Sequence, residues 1–394
     1  MKLIQKRLTG HPHMWRKGTS NPLGMPVHVD GSATEGEVNG HKVVLAGTNN
    51  YLGLTFHPDC IRAAEAALHK YGTGTTGARL ANGTYEEHLL LEAELADFYE
   101  ACSALIFTTG YQANLGMITG LADNTSVLML DADCHASIYD AARMSGAEIY
   151  RFKHNNAQDL AKKLERLGAR VEDTLVITEG IYSMLGDVAP LSELCEVTRA
   201  AGAALLVDEA HSFGVQGKTG RGLAQELGVE DQIDFVVGTF SKSLGSVGGY
   251  CVSRKYDLNL MKQGMRPFIF SASMVPSAIA SSRAALKVIQ RQPELRERLW
   301  HNARRVFNAF QQMGFETGPV CSPVVAVIIR DSDDILNTWN YLLQQGVYVN
   351  LIAPPAAPGN YSLLRCSLSA AHSDEQIDHI IDAYSKIAQL THNR

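Results

Sequence analysis

The sequence is short of several features whose presence would direct its reading elsewhere. Its seven cysteines, Cys60, Cys102, Cys134, Cys195, Cys251, Cys321 and Cys366, are odd in number, scattered, and never spaced as Cys-x-x-Cys. That pattern offers neither a disulfide framework nor a metal site, and it fits a reducing cytoplasm. No apolar run approaches bilayer-spanning length and the first residues carry no apolar h-region, so a cytoplasmic chain is expected. Positive charge is not in excess: 35 Lys+Arg against 41 Asp+Glu give a formal net charge of -6. Such a balance gives no electrostatic reason to seek DNA or RNA, and no nucleic-acid partner is expected. Repeats, low-complexity tracts and charge blocks are also missing.

What is present is ordinary globular composition, 45% hydrophobic and 19% charged over 394 residues, enough for two or three domains and a large core. The first stretch, Met1 to Lys17, interleaves Lys2, Lys6, Arg7, Arg16 and Lys17 with Leu3, Ile4, Leu8 and Trp15. This composition suits peripheral membrane contact, and equally an ordinary terminal segment packed on a subunit. Thr84 precedes Glu87 at capping-box spacing, and Leu91, Leu95 and Phe98 follow as one amphipathic helical stripe.

From about residue 100 short apolar runs recur: Ala104–Phe107, Val127–Leu130, Leu175–Ile177, Ala204–Val207 and Phe235–Val237. Each is too short for a buried helix and is separated from the next by a helix-length segment, which predicts βαβ units around a mainly parallel sheet. After about Ser273 the pattern becomes a long helical stretch through Arg304, then strand-like pieces such as Val324–Ile329, a smaller C-terminal α+β unit.

Ligands of open parallel sheets bind beyond the carboxyl ends of the strands, so the residues following each run carry the functional information. They are Thr108-Thr109-Gly110-Tyr111, Asp131-Ala132-Asp133-Cys134-His135, Glu179-Gly180-Ile181-Tyr182-Ser183, Asp208-Glu209-Ala210-His211-Ser212 and Gly238-Thr239-Phe240-Ser241-Lys242-Ser243. Any one of these reads equally as caps and turns. As a set they supply complementary roles for one aromatic, anionic cofactor. A helix opening at Thr108-Thr109-Gly110 offers N–H groups to a phosphate, with hydroxyls from Thr239 and Ser241. Lys242 suits imine formation with an aldehyde, Asp208 suits a pyridine nitrogen, His211 a ring hydroxyl and His135 the ring face.

With those motifs, the chain resembles the α-oxoamine synthases among the fold-type I pyridoxal 5'-phosphate (PLP) enzymes. The resemblance covers nearly the whole sequence and is densest in Gly47-Thr48-Asn49-Asn50-Tyr51-Leu52-Gly53-Leu54, Asn82-Gly83-Thr84, Asp131 to Asp140, Glu179 to Asp187, Val207 to Ser212 and Gly238 to Ser243. It implies an aspartate aminotransferase-like α/β fold with an N-terminal arm over 1–55, a PLP-binding large domain over 56–272 and a small domain over 273–394. It makes Lys242 the lysine that holds PLP as a Schiff base, with Asp208, His135 and His211 around the ring. Gly110, Tyr111, Thr239 and Ser241 would bind phosphate, Ser183 would join the cofactor site, and Asn50 and Arg365 would bind substrate.

The segment Arg266-Pro267-Phe268-Ile269-Phe270-Ser271 matches one that reaches a neighbouring subunit's cofactor, which implies a homodimer with shared active sites. The activity implied is decarboxylative Claisen condensation of an amino acid, L-serine by overall similarity, with a long-chain acyl group carried on coenzyme A or an acyl carrier protein. Glycine or alanine users of the same family, an aminotransferase and a non-catalytic partner subunit remain open at this point. Three positions depart from the serine-using pattern: Ala357 and Ala78 stand where threonine and serine are usual, and Ser271 replaces threonine.

Overall fold

Runs of aliphatic residues with no polar position to face water form strands that are covered on both sides. The computed structural model describes residues 2–9, 24–330, 332–354, 357, 359 and 361–392. Helix α1 (Lys2–Thr9) precedes short strands β1 (Val27–His28), β2 (Glu35–Val38) and β3 (His41–Leu45), then α2 (Pro58–Tyr71) and α3 (Glu86–Tyr99). The middle of the chain runs β4 (Ser103–Phe107), α4 (Gly110–Leu121), β5 (Val127–Asp131), α5 (Ala136–Ser145), β6 (Glu148–Phe152), α6 (Ala157–Leu167) and β7 (Thr174–Glu179). It continues with α7 (Leu191–Ala201), β8 (Ala204–Asp208), α8 (Leu223–Glu226), β9 (Phe235–Thr239) and β10 (Gly249–Ser253). The last third holds α9 (Arg266–Phe270), α10 (Pro276–Arg291), α11 (Glu294–Gln312), β11 (Val324–Ile329), α12 (Ser332–Gln344), β12 (Val347–Tyr348), β13 (Asn350–Ile352), β14 (Ser362–Ser367) and α13 (Asp374–His392).

The central sheet has the order β4-β10-β9-β8-β7-β5-β6. Strands β5 to β9 pair in parallel, and β10 runs antiparallel to both β4 and β9, so β4 shares the common direction. Successive residues go to opposite faces. Leu128, Leu130, Leu175, Ile177 and Leu206 pack with Met117 and Ile118 of α4 and Ile138 of α5. Met129, Val176, Leu205 and Val207 pack on the other side with Leu160 of α6 and Leu191 and Leu194 of α7. All five apolar runs of the sequence are therefore strands of one sheet with helices on both faces. Two strands were not foreseen. β6 lies at the edge and keeps polar residues in water, and β10 has only Tyr250, Cys251 and Val252 between a glycine and a serine.

Two smaller sheets adjoin it. β11, β14 and β13 are antiparallel, while β3 of the N-terminal segment pairs in parallel with β12. The expected long helix after Ser273 is two helices, interrupted at Gln292 and Pro293. The basic N-terminal stretch is helical over α1 with Leu3 and Ile4 exposed. Its Trp15, Arg16 and Lys17 lie outside the described residues.

Helix α3 shows how tertiary contacts displace a local cap. Thr84 does not cap it: its hydroxyl donates to Arg79 O and accepts from Arg79 Nε at 3.1 Å, leaving Tyr85 as the N-cap residue. The reciprocal bond comes from His88, whose Nδ1 accepts from Tyr85 N at 3.1 Å, and Glu87 instead pairs with Arg283. The apolar stripe is as expected, with Leu91, Leu95 and Phe98 all in the core. Leu95→Ala should cost about 2–5 kcal/mol through the cavity it leaves. Leu89→Ala, on the same helix but 52% exposed, should stay within about 0.5 kcal/mol. Urea denaturation of the two variants checks the assignment of faces.

Candidate active site

The common strand direction brings all five polar clusters to one edge of the sheet. At the first, Thr109 caps α4 by accepting from Gln112 N at 3.1 Å. Helix geometry leaves the N–H groups of Gly110 and Tyr111 without intrahelical partners. Opposite, at the end of β9, Thr239 Oγ1 donates to Gly248 O and lies 2.8 Å from Ser241 Oγ. A Cβ on Gly110 would come 2.9 Å from Thr239 Cβ, so only glycine lets the helix start approach β9 this closely. The result is a cradle of free N–H groups and hydroxyls suited to a phosphate. The Tyr111 side chain turns away to Asp140, at 2.5 Å.

This cradle opens into a cavity of about 230 Å³ that is also lined by Asn114, His135, Ser137, Glu179, Asp208, His211 and Lys242. Lys242 and Asp208, 34 positions apart in sequence order, thus share one chamber. Asp208 is buried; its Oδ2 accepts from Asn114 Nδ2 at 2.7 Å and its Oδ1 from Ala210 N at 2.9 Å. Those bonds fix the carboxylate before anything binds. Asn114 Nδ2 also lies 3.0 Å from Ser137 Oγ, while its buried Oδ1 has no partner among the described residues.

Burial weakens the positive charge of Lys242 and brings its amine down to about 8, against the attraction of Asp208 and Glu179 and with help from Arg365. Burial pushes Glu179 well above the usual carboxylate range, and the neighbouring Asp208 adds to the effect. Its Oε1 accepts from His135 N at 2.5 Å. His135 is lowered by burial, and Lys242 opposes its protonation as well, though Asp208 favours it. Its Nδ1 accepts from Ser137 N at 3.3 Å and caps α5.

His211 is held well below its ordinary value by burial, then by Lys242, Arg365 and His135. The Tyr51 hydroxyl lies 2.7 Å from His211 Nδ1 and also interacts with the Arg365 guanidinium. The guanidinium only donates and Asn49 Oδ1 is 3.4 Å away, so the tyrosine proton goes to the closer Nδ1, and the remaining proton of neutral His211 sits on Nε2.

Arg365 is 3% exposed. Its Nε donates to Ser183 O at 2.6 Å, and its Nη1 to Asn49 Oδ1 at 3.1 Å and Ser367 Oγ at 2.9 Å. Its charge is felt by both Lys242 and His211, which sets it beside the chamber. Besides Arg365, three expected residues do not line the cavity. Asn50 bonds Thr55 and Ser369, Ser183 offers its carbonyl to Arg365, and Ser271 lies 3.1 Å from Gln112 Nε2 in a separate small pocket with Arg79 and His88. Of the divergent positions, Ala78 bridges Ala272, and Ala357 is buried with its N donating to Ala353 O. Pro355, Ala356 and Pro358 lie outside the described residues.

Sequence reasoning gave no role to Tyr51 or Glu179 beyond their motifs and did not reach Asn114. Asn114 stands four residues after Gly110, one turn along α4, and that spacing was the available signal. The donor set fits a planar aldehyde-bearing ring with a phosphate: an anion cradle, an amine near neutrality, a fixed carboxylate and two neutral imidazoles.

The protein-family model described as aminotransferase class I and II matches residues 41–383. A serine palmitoyltransferase of Caulobacter vibrioides is 53% identical over 368 residues, 93% of this chain and 91% of that protein. One from Sphingomonas paucimobilis is 45% identical, covering 93% of this chain and 88% of the relative. Among solved structures, serine palmitoyltransferase from S. paucimobilis with bound PLP-myriocin aldimine superposes with a TM-score of 0.95 at 42% identity, covering 100% and 99% of the two chains.

The lowered amine gives a test that needs no substrate. Reductive trapping with an aromatic aldehyde and borohydride should label Lys242 first, at a rate that rises through about pH 8. Peptide mapping across pH checks this, and labelling that rises only near pH 10.5, the ordinary value for lysine, would contradict it.

Proposed function

The chain belongs to the aminotransferase class I and II family, and from that premise we propose that it binds PLP and condenses L-serine with a long-chain acyl-CoA. The observation that carries this reading is the single chamber shared by Lys242, Asp208 and the phosphate cradle, in a chain 53% identical to a serine palmitoyltransferase. In the overall reaction the serine α-carbon bonds to the acyl carbonyl carbon, the thioester C–S bond breaks to release coenzyme A, and the carboxyl group leaves as CO2. The α-carbon ends with a proton, giving a 3-ketosphinganine-like α-oxoamine.

Bound PLP supplies an electron sink that makes the α-proton of the amino acid removable. The residues of the chain do the rest. Gly110, Tyr111, Thr239 and Ser241 would hold the phosphate, and Asp208, oriented by Asn114 and Ala210, would accept a hydrogen bond from the ring nitrogen and keep it protonated. His211 would donate from Nε2 to the ring hydroxyl, and His135 would cover the ring. Lys242 would anchor the cofactor, and its amine, brought down to about 8, is suited to removing the substrate α-proton. Arg365 would bind the substrate carboxylate with its guanidinium fork, taking over one donor from an existing acceptor.

Assembly as a homodimer, with Ser271 facing the partner's site, is part of this proposal. It is supported by the exposed apolar side chains of Phe270 and Leu260 on the same stretch. A cytoplasmic location is supported by seven cysteines that are all free.

Incubation with L-serine and palmitoyl-CoA should release coenzyme A and CO2 in equal amounts, with no keto acid. Keto-acid formation instead would identify an aminotransferase. Lys242→Ala should fold and lose turnover by about 10³-fold or more, and retention of wild-type activity would overturn the assignment.

A further inference from the structure

Outside the chamber, His154 lies between two carboxylates. Its Nδ1 is 2.8 Å from Asp131 Oδ1 and its Nε2 is 2.6 Å from Asp187 Oδ2. Both ring nitrogens therefore carry protons, and the residue is an imidazolium. Both carboxylates are buried, and a third, Asp133, lies 3.9 Å away. Burial opposes the charge, but the bonds to Asp131 and Asp187 lift it to about 10. Asn155 reinforces the junction, its N donating to Asp131 Oδ2 at 2.8 Å and its Nδ2 to Asp187 Oδ2 at 3.0 Å. The edge of the Tyr182 ring closes the other side, 4.5 Å between centroids.

The cluster ties the ends of β5 and β6 to the turn that follows β7. That turn is closed on itself by Tyr182 N to Asp187 O, Gly186 N to Tyr182 O and Ala189 N to Gly180 O. It is also seated tightly: a Cβ on Gly318 would come 2.0 Å from Leu185 O, and one on Gly186 would come 2.2 Å from Val324 O. Ser183 sits in this turn, and its carbonyl is the acceptor for Arg365 Nε at 2.6 Å. The other two fixed acceptors, Asn49 and Ser367, hold only Nη1.

We propose that His154 is a positioning residue for substrate binding: by anchoring Asp187 it fixes the 180–189 turn, and through the Ser183 carbonyl it aims Arg365 at the amino-acid carboxylate. This rests on the role given to Arg365 above. Without the imidazolium, Asp131 and Asp187 repel each other or one takes up a proton, and the turn shifts. Misplacement of a bidentate group by a fraction of an ångström weakens binding without touching the amine that performs the chemistry. The groups facing His154 are Asp131, Asp133 and Asp187, and Tyr361 experiences the fields of Asp133 and Asp187. With His154 near 10, the anchor stays charged through neutral pH and acts as a fixed strut.

The test uses the PLP-loaded enzyme with His154→Gln and, as a variant that keeps a side-chain acceptor, Asp187→Asn. Serine affinity is read without acyl-CoA, from the change in the bound cofactor's absorption, alongside kcat, both KM values and the melting temperature. The Kd and KM for serine should rise about 10-fold, while kcat and the acyl-CoA KM change by less than about two-fold. In an Arg365→Lys background the increment should vanish, because the strut would have nothing left to aim. A lower melting temperature with unchanged serine Kd, or full additivity with Arg365→Lys, would overturn the proposal. Wild-type enzyme that shows no absorption change with any amino acid would refute the functional reading itself, a different outcome from the first two.

Discussion

The amine of Lys242 has been taken out of water, and most of the site exists to make that tolerable. An ammonium moved into a low-dielectric chamber loses hydration that a single nearby carboxylate does not fully replace, so its proton is held loosely. Asp208 and Glu179 supply opposing charge, yet they are themselves buried and occupy register-paired positions at the ends of β7 and β8. Two carboxylates that close repel, and Glu179, with Asp208 beside it, is the one driven toward its neutral form. Asp208 is instead held by two donors, Asn114 Nδ2 and the Ala210 amide. The two carboxyls differ in their surroundings by where donors were placed, not by residue type.

This arrangement was legible in the sequence wherever one geometric rule applied. A parallel strand buried on both faces must read as an apolar run, and the residue after it must emerge at the ligand edge. Asp208 and Thr239 therefore announce themselves by position, and His135, His211, Ser241 and Lys242 by following within a few residues. The same rule located α4, whose opening at Gly110 was visible from Thr108-Thr109-Gly110.

Illegible features were those decided by partners distant in sequence. Nothing near Thr84 says that Arg79 will take its hydroxyl, so a regular capping box gave way to His88. β10 is completely buried yet apolar over only three residues, because its glycine end must let the backbone of Thr109 and Gly110 come close. Ser183 belongs to a matching motif, but its contribution is a backbone carbonyl to Arg365, and a carbonyl leaves no mark on residue identity. His154 lay after β6, an edge strand without an apolar run, so the rule that found the other clusters passed over it.

Arg365 shows what such long-range construction achieves. Three of its N–H donors are taken by acceptors from separate segments: Ser183 from the turn after β7, Asn49 from the N-terminal region, and Ser367 from its own strand. A guanidinium fixed in advance loses little rotamer freedom when a ligand arrives. The same bonds leave it few free donors, so a carboxylate must take over at least one donor from an existing acceptor to bind in bidentate fashion.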